Sequence, residues 1–174
     1  VTALADHILE THHIFMKAQL PRLDALLGKV QKAHEVRHGD MRQKLRRAFD
    51  ALRNELEPHL MKEEQILFPA LKGIDAFVAG TGPRPVVHCG SVAYPIQQME
   101  YEHENAGNAL TEMRSITADY HLPEDACASF TALYDGLKAM AADLHEHIHL
   151  ENNILFPKSV KQEAAILQSA ETPQ

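Results

Sequence analysis

The sequence contains no tryptophan, only two cysteines and no long hydrophobic run. Two cysteines, Cys89 and Cys127, exclude a disulfide framework and argue against a Cys-rich zinc or iron–sulfur site. No apolar stretch approaches the ~20 residues that span a bilayer, and the first residues lack the basic flank and apolar core of a signal peptide. We therefore expect a cytoplasmic protein with no membrane partner.

Positive charge is also scarce. The net charge of -7 argues against a nucleic-acid partner, because phosphates attract a basic surface. The chain has 174 residues, 45% hydrophobic and 24% charged, which predicts one globular domain over 1–174. Histidine is the residue in excess, with 12 copies.

The apolar residues recur at spacings of three and four, which predicts helices. Four such segments, with a linker at 73–94 and a tail at 158–174 that is predicted to be helical to about 170, predict an all-α, up-down-up-down four-helix bundle. The predicted helices cover 3–27, 40–72, 95–119 and 123–157.

Each predicted helix has a core-facing seam, which is its row of apolar positions. Polar residues interrupt this seam only in the middle of the helix. Each helix places one histidine there, and the second and fourth helices add a glutamate one turn later before the seam resumes at Ile66 and Ile154. Burying six such groups unpaired would cost several kcal/mol each, so a metal is the expected compensation. The six candidates are His13, His59, Glu63, His103, His147 and Glu151.

A repeat links the two halves of the chain. The string HLMKEEQILFP starts at His59 and HIHLENNILFP starts at His147, so both contain the pattern H-x3-E-x2-I-L-F-P. Each half, 3–72 and 95–157, reads as a helical hairpin with one histidine on its first helix and this pattern on its second. The chain is therefore predicted to be a tandem repeat with two-fold pseudosymmetry.

The spacing predicts a centre with two metals. Residues at i and i+4 share a helix face, so each glutamate can reach the metal of its own histidine or a second metal. Pseudosymmetry suggests that His13 and His59 hold one metal, that His103 and His147 hold the other, and that Glu63 and Glu151 bridge the two. Mixed nitrogen and oxygen donors favour two iron ions with a bridging oxide or hydroxide. One open position per metal implies a small ligand such as O2, NO or peroxide.

The arrangement H…HxxxE…H…HxxxE resembles the hemerythrin-like (HHE) domain, and these strings together with the stretch MEYEHENAG ending at Gly107 resemble the iron–sulfur cluster repair di-iron (RIC) family. The resemblance implies a hemerythrin-like bundle with the six residues as iron ligands. It further implies repair of, or iron supply to, clusters damaged by oxidative or nitrosative stress, with iron–sulfur proteins as partners. Oxygen-carrying hemerythrins have a histidine where this chain has Gly107. RIC proteins usually begin with a small Cys-Cys domain that this sequence lacks.

Several alternatives stay open at this point. The chain could instead be a module that stores, scavenges or senses O2 or NO reversibly; a conventional enzyme is less favoured, because no nucleophile or acid–base pair is evident. The string HEVRH at 34–38 matches a zinc-protease motif but lies in a hydrophilic connector. Glu55 and Glu102 are either solvated or outer partners of the ligand imidazoles. Four further histidines fall off the seam and are expected outside the ligand set: His7, His12, His145 and His149.

Overall fold

In the computed structural model, which describes residues 1–33, 39–86 and 90–171, the chain folds into four long helices. Three of them contain a short π-helical segment between two α-helical stretches. The helices are α1 (Thr2–Ile8, π segment Leu9–His13, Ile14–Ala33), α2 (Gly39–Lys62, π segment Glu63–Leu67, Phe68–Val78), α3 (Ala93–Ile116) and α4 (Ala128–Leu150, π segment Glu151–Leu155, Phe156–Glu171). The predicted all-α four-helix bundle is confirmed.

Several predicted helix boundaries are wrong. α2 continues to Val78 instead of ending at 72, so the predicted linker at 73–94 begins too early, and α4 begins at Ala128 instead of 123. The first helix does not end at 27 but continues to Ala33. The guanidinium of Arg42 caps this end by donating to the carbonyl oxygens of Val30 and Gln31 at 3.0 and 2.9 Å. The tail is helical, as predicted, and continues α4 to Glu171. The HEVRH string at 34–38 lies outside the described residues.

The helices pack as two close pairs, α1 on α4 and α2 on α3. In the first pair the lack of a side chain at Gly136 permits the close approach, since a Cβ atom there would lie 2.8 Å from Cδ2 of Leu23. Gln19 uses this proximity to donate from Nε2 to the carbonyl oxygen of Gly136 at 3.0 Å. This pairing of helices decides which histidines come together.

The hydrophobic core is divided into two clusters along the bundle. The larger contains Met16, Phe49, Leu110, Leu137 and Met140, and the smaller contains Ile8, Phe68, Met99, Leu155 and Phe156. Buried polar side chains from all four helices lie near the boundary between them. Within the described part of the chain, no helix combines the length and the hydropathy needed to cross a membrane.

The π segments shift the core-facing seam, and they make two sequence predictions wrong. Ile66 and Ile154 were expected in the core, but they are 64% and 44% exposed, and Leu67 and Leu155 are buried in their place. A π turn holds one residue more than an α turn, so the side chain that faces the core comes one position later. An apolar pattern interpreted with a period of 3.6 does not reveal this change.

Candidate metal centre

Each of the four helices brings one histidine into the polar layer between the two core clusters. His13 ends the π segment of α1, and His59, His103 and His147 lie within α2, α3 and α4, all at most 4% exposed. Glu63 and Glu151, which begin the other two π segments, are completely buried. All six predicted residues are therefore brought together, and π turns of this kind are often found at functional sites.

The six side chains form two groups that share both carboxylates. In the first group, one ligand atom from each member lies within 4.8 Å of those of the others, and the members are His13, Glu63, His147 and Glu151. In the second group the same holds for His59, Glu63, His103 and Glu151. The sequence-based pairing of His13 with His59, and of His103 with His147, is therefore wrong.

The packing of the helices explains the observed pairing. Because α1 packs on α4 and α2 packs on α3, the histidines of each close pair face a common point. The pseudo-two-fold relation exchanges His13 with His103 and His59 with His147, so it is obeyed by either pairing. Symmetry alone left two choices, and the contacts between helices select one of them.

The two carboxylates each direct one oxygen toward each group. Oε2 of Glu63 lies 3.4 Å from Nε2 of His13 and 3.8 Å from Nε2 of His147, whereas Oε1 lies 3.3 Å from Nε2 of His59. Oε1 of Glu151 lies 3.1 Å from Nε2 of His147, and Oε2 lies 3.1 Å from Nε2 of His103. This is the arrangement that a carboxylate needs to bridge two ions.

Several buried polar atoms of this cluster have no hydrogen-bond partner among the described residues. They are both carboxylate oxygens of Glu63 and of Glu151, and Nε2 of His13 and of His147. Unpaired polar atoms are costly to bury, and two carboxylates in one small space repel each other. Two cations bound at the two groups would satisfy these atoms together, so the side chains fit a pair of metal ions.

Three of the four imidazoles are held from outside by a hydrogen bond at Nδ1. Nδ1 of His13 lies 2.8 Å from Oε1 of Glu64, and Lys17 donates to the same carboxylate. Nδ1 of His103 lies 2.8 Å from Oδ1 of Asn152. Such contacts keep the proton on Nδ1 and leave Nε2 free to bind a metal.

Glu64 and Asn152 were not identified from the sequence, although a signal for them exists. They follow Glu63 and Glu151 directly, so they occupy the same position of the repeat. Each contacts the histidine on the first helix of its own half. A comparison of the two repeats position by position would have pointed to both.

Glu102 is an outer partner of a ligand imidazole, which is one of the two roles predicted for it. Its Oε2 lies 2.8 Å from Nδ1 of His59, and its Oε1 accepts hydrogen bonds from Lys62 and from Gln98. Glu55 is exposed and shares with Glu102 the lining of a crevice that reaches His59 and His103. Glu102 therefore orients a ligand imidazole, whereas Glu55 lies at the crevice wall.

The four histidines expected outside the ligand set all lie outside the two donor groups, but one of them is buried. His7, His145 and His149 are exposed, but His12 is 2% exposed beside His13. The π segment Leu9–His13 widens the helix, so two consecutive side chains turn inward toward α4. Nδ1 of His12 lies 2.9 Å from Oδ1 of Asp143 on that helix.

The cluster is strongly coupled by charge. Burial lowers the pKa of His59, but contacts with Glu63, Glu102 and Glu151 outweigh burial and raise it to about 9. Burial raises the pKa of Glu63, yet contacts with His13 and His59 hold it well below its usual range. Protons and metal ions therefore compete for the same nitrogen atoms.

The sequence is similar to those of known proteins. The sequence profile of the hemerythrin HHE cation binding domain matches residues 4–159. The iron-sulfur cluster repair protein YtfE of Dickeya chrysanthemi is 37% identical over 157 residues, and that of Salmonella schwarzengrund is 37% identical over 161 residues. These matches cover 90% and 92% of this chain but only 65% and 66% of the relatives. The chain thus spans slightly less than two thirds of the length of the relatives that it matches.

Proposed function

Because the chain belongs to the family of hemerythrin HHE cation binding domains, we propose that it is a non-haem di-iron protein that acts in the repair of, or the iron supply to, damaged iron–sulfur clusters. The observation that carries the proposal is the pair of donor groups sharing two buried carboxylates. The similarity to iron-sulfur cluster repair proteins over 90% of the chain supports the cellular role.

Six residues would hold the two ions. His13 and His147 would bind one ion, His59 and His103 would bind the other, and Glu63 and Glu151 would bridge them, with an oxide or hydroxide as a further bridge. Four imidazoles and two carboxylates form a mixed donor set that suits iron or manganese better than calcium or magnesium. When bound, the iron supplies coordination positions for small oxidants such as O2 or NO and is also the cargo that a damaged cluster receives.

The protein's own side chains prepare this centre. Glu64, Glu102 and Asn152 fix the orientation of three imidazoles, and the two apolar clusters keep water away from the carboxylates. Gly107 lies one turn after His103 and has no side chain to offer, so each group contains the same number of histidines. Neither donor group therefore contains the additional histidine that oxygen-carrying hemerythrins have at this position.

The test is the transfer of labelled iron to an acceptor. The chain loaded with 57Fe is mixed anaerobically, under reducing conditions, with an iron–sulfur protein whose [4Fe–4S] cluster has lost one iron by oxidation to the [3Fe–4S] form. We expect label to appear in the acceptor and its activity to return. The variant His147→Ala should transfer little iron because it holds little, whereas His145→Ala, two positions away and exposed, should behave as the unchanged protein.

The competing function gives an opposite result. A protein that stores, scavenges or senses O2 or NO would keep its iron in the presence of the acceptor and would release the bound gas under vacuum. Label that stays with the chain while the gas binds reversibly would therefore contradict the repair proposal. It would leave the metal centre itself intact.

A further inference from the structure

The Nδ1 atoms of the four site histidines differ in one respect. Those of His13, His59 and His103 each meet an oxygen of a neighbouring side chain at 2.8 Å. Nδ1 of His147 is buried and has no hydrogen-bond partner among the described residues. A neutral imidazole that uses Nε2 for a metal carries its proton on Nδ1, so His147 has a buried donor in need of an acceptor.

A histidine outside the ligand set lies next to it. The rings of His12 and His147 are nearly parallel, within 9°, and their centroids are 5.7 Å apart. One N–H···N hydrogen bond between two imidazoles gives a centroid separation on the order of 5 Å, so these two stacked rings are near that distance, and the bond requires a shift of one ring relative to the other. Nε2 of His12 is buried and also has no partner among the residues that the structure describes.

The tautomer of His12 is set by Asp143. Nδ1 of His12 lies 2.9 Å from Oδ1 of Asp143, and an ionised carboxylate oxygen can only accept a hydrogen bond. His12 therefore carries its proton on Nδ1, and its Nε2 is an acceptor. The N–H at Nδ1 of His147 and the free Nε2 of His12 thus lie on adjacent rings, and the first can donate a hydrogen bond to the second.

The repeat gives an independent argument. Glu102 precedes His103 and contacts Nδ1 of His59. The pseudo-two-fold relation maps His103 onto His13 and His59 onto His147, so the residue equivalent to Glu102 is His12. The residue that would hold His147 is therefore expected at position 12, where the chain has an imidazole backed by a carboxylate instead of a carboxylate alone.

We propose that His12, anchored by Asp143, accepts the hydrogen bond from Nδ1 of His147 and so positions this imidazole at the metal centre. His12 is a positioning residue, because it acts through His147 and does not touch a metal. The inference rests on the proposed metal centre. The binding of the ion between His13 and His147 then depends on His12 and Asp143, whereas the binding of the other ion does not.

The first test compares metal affinities of three variants by competition with a chelator, using ferrous iron under anaerobic conditions. His12→Phe keeps an aromatic ring of similar size but has no acceptor, and we expect a 10- to 100-fold weaker binding of one of the two ions. His12→Gln keeps an acceptor oxygen and should recover most of the loss. The control is His7→Phe, the same change at an exposed neighbour whose ring lies 6.0 Å from that of His12.

The second test observes the hydrogen bond in the zinc-loaded protein, which is diamagnetic. In proton NMR the imidazole N–H of His147 should exchange slowly with water, as those of the other three ligands do, and this signal should be lost in His12→Phe alone. Circular dichroism of the metal-free variants shows whether they fold. If His12→Phe does not fold, Asp143→Ala, which leaves His12 without its anchor, should weaken one ion in the same direction.

The outcomes separate this inference from the proposed function. An unchanged protein that binds no metal would contradict both. If the unchanged protein binds two ions and a folded His12→Phe binds both within twofold, with the N–H of His147 still protected, His12 only packs against the ring and the inference is wrong.

Discussion

Among the described residues, Glu63 and Glu151 are the two side chains that belong to both donor groups. Each is completely buried and directs its two oxygens to different histidine pairs. A carboxylate can bind two cations at once, whereas an amide of the same shape offers one oxygen and no charge. The two-metal interpretation therefore depends on the charge of these side chains as well as on their position.

The substitution Glu63→Gln tests this dependence. We expect the variant to keep its helical fold but to retain fewer than two ions per chain after dialysis, and its affinity should fall at least tenfold. The matched control is Glu57→Gln, the same change on the same helix at a side chain that is 51% exposed and paired with Arg53. A surface pair of this kind contributes roughly 0–1 kcal/mol, so the control should keep both ions. Full occupancy of Glu63→Gln would refute the bridging role.

The pKa of His59 predicts how pH affects the metal-free protein. A folded pKa of about 9 lies above the unfolded value of 6.5, so the protonated form stabilises the fold. This contribution is complete below pH 6.5 and is lost as the pH rises toward about 9. Glu63 has a lowered pKa, so its contribution is present above its usual value and is lost in acid.

Thermal unfolding at a series of pH values tests the sign. In the presence of a chelator, the melting temperature should fall between pH 6.5 and about 9. In the loaded protein it should rise over the same interval, because fewer protons compete with the metal for the imidazoles. Two curves that run parallel would show that the titrating imidazoles are not the metal ligands.

At the scale of helices, the observed bundle differs from the predicted one in its π segments, which the sequence analysis did not predict. The seam prediction is correct up to the glutamates and fails directly after them, at Ile66 and Ile154. Hydrophobic spacing determines which face of an α-helix is buried, but it contains no record of a turn with one extra residue. The same effect buried His12, which the α-helical phase had placed outside.

Deletion of Gln65 tests the role of the π segment in α2. Gln65 is exposed, and removing it converts the wide turn to an α turn while the following apolar residues keep their phase. We expect the metal-free variant to remain folded, and its metal affinity to drop at least tenfold because Glu63 no longer lies in the widened turn. Gln65→Ala, which keeps the chain length, should change neither quantity. Undiminished affinity of the deletion variant would show that the wide turn is not needed for metal.

At the scale of the whole molecule, the pseudo-two-fold relation predicted the fold and the six site residues but not how they pair. The relation is obeyed whether a group takes both of its histidines from one half or one from each half, so the repeat left the choice open. The choice is made where Gly136 lets α1 approach α4, a long-range contact that no spacing within one helix expresses. The local sequence pattern therefore determined which six residues form the centre, and the packing of the helices determined which histidines share a donor group.

The most direct test of the central claim is the anomalous scattering of crystals of the iron-loaded protein, recorded at the iron absorption edge. We predict two peaks of equal height per chain, one between His13 and His147 and the other between His59 and His103, with Glu63 and Glu151 touching both. A single peak, or two peaks that pair His13 with His59, would contradict it.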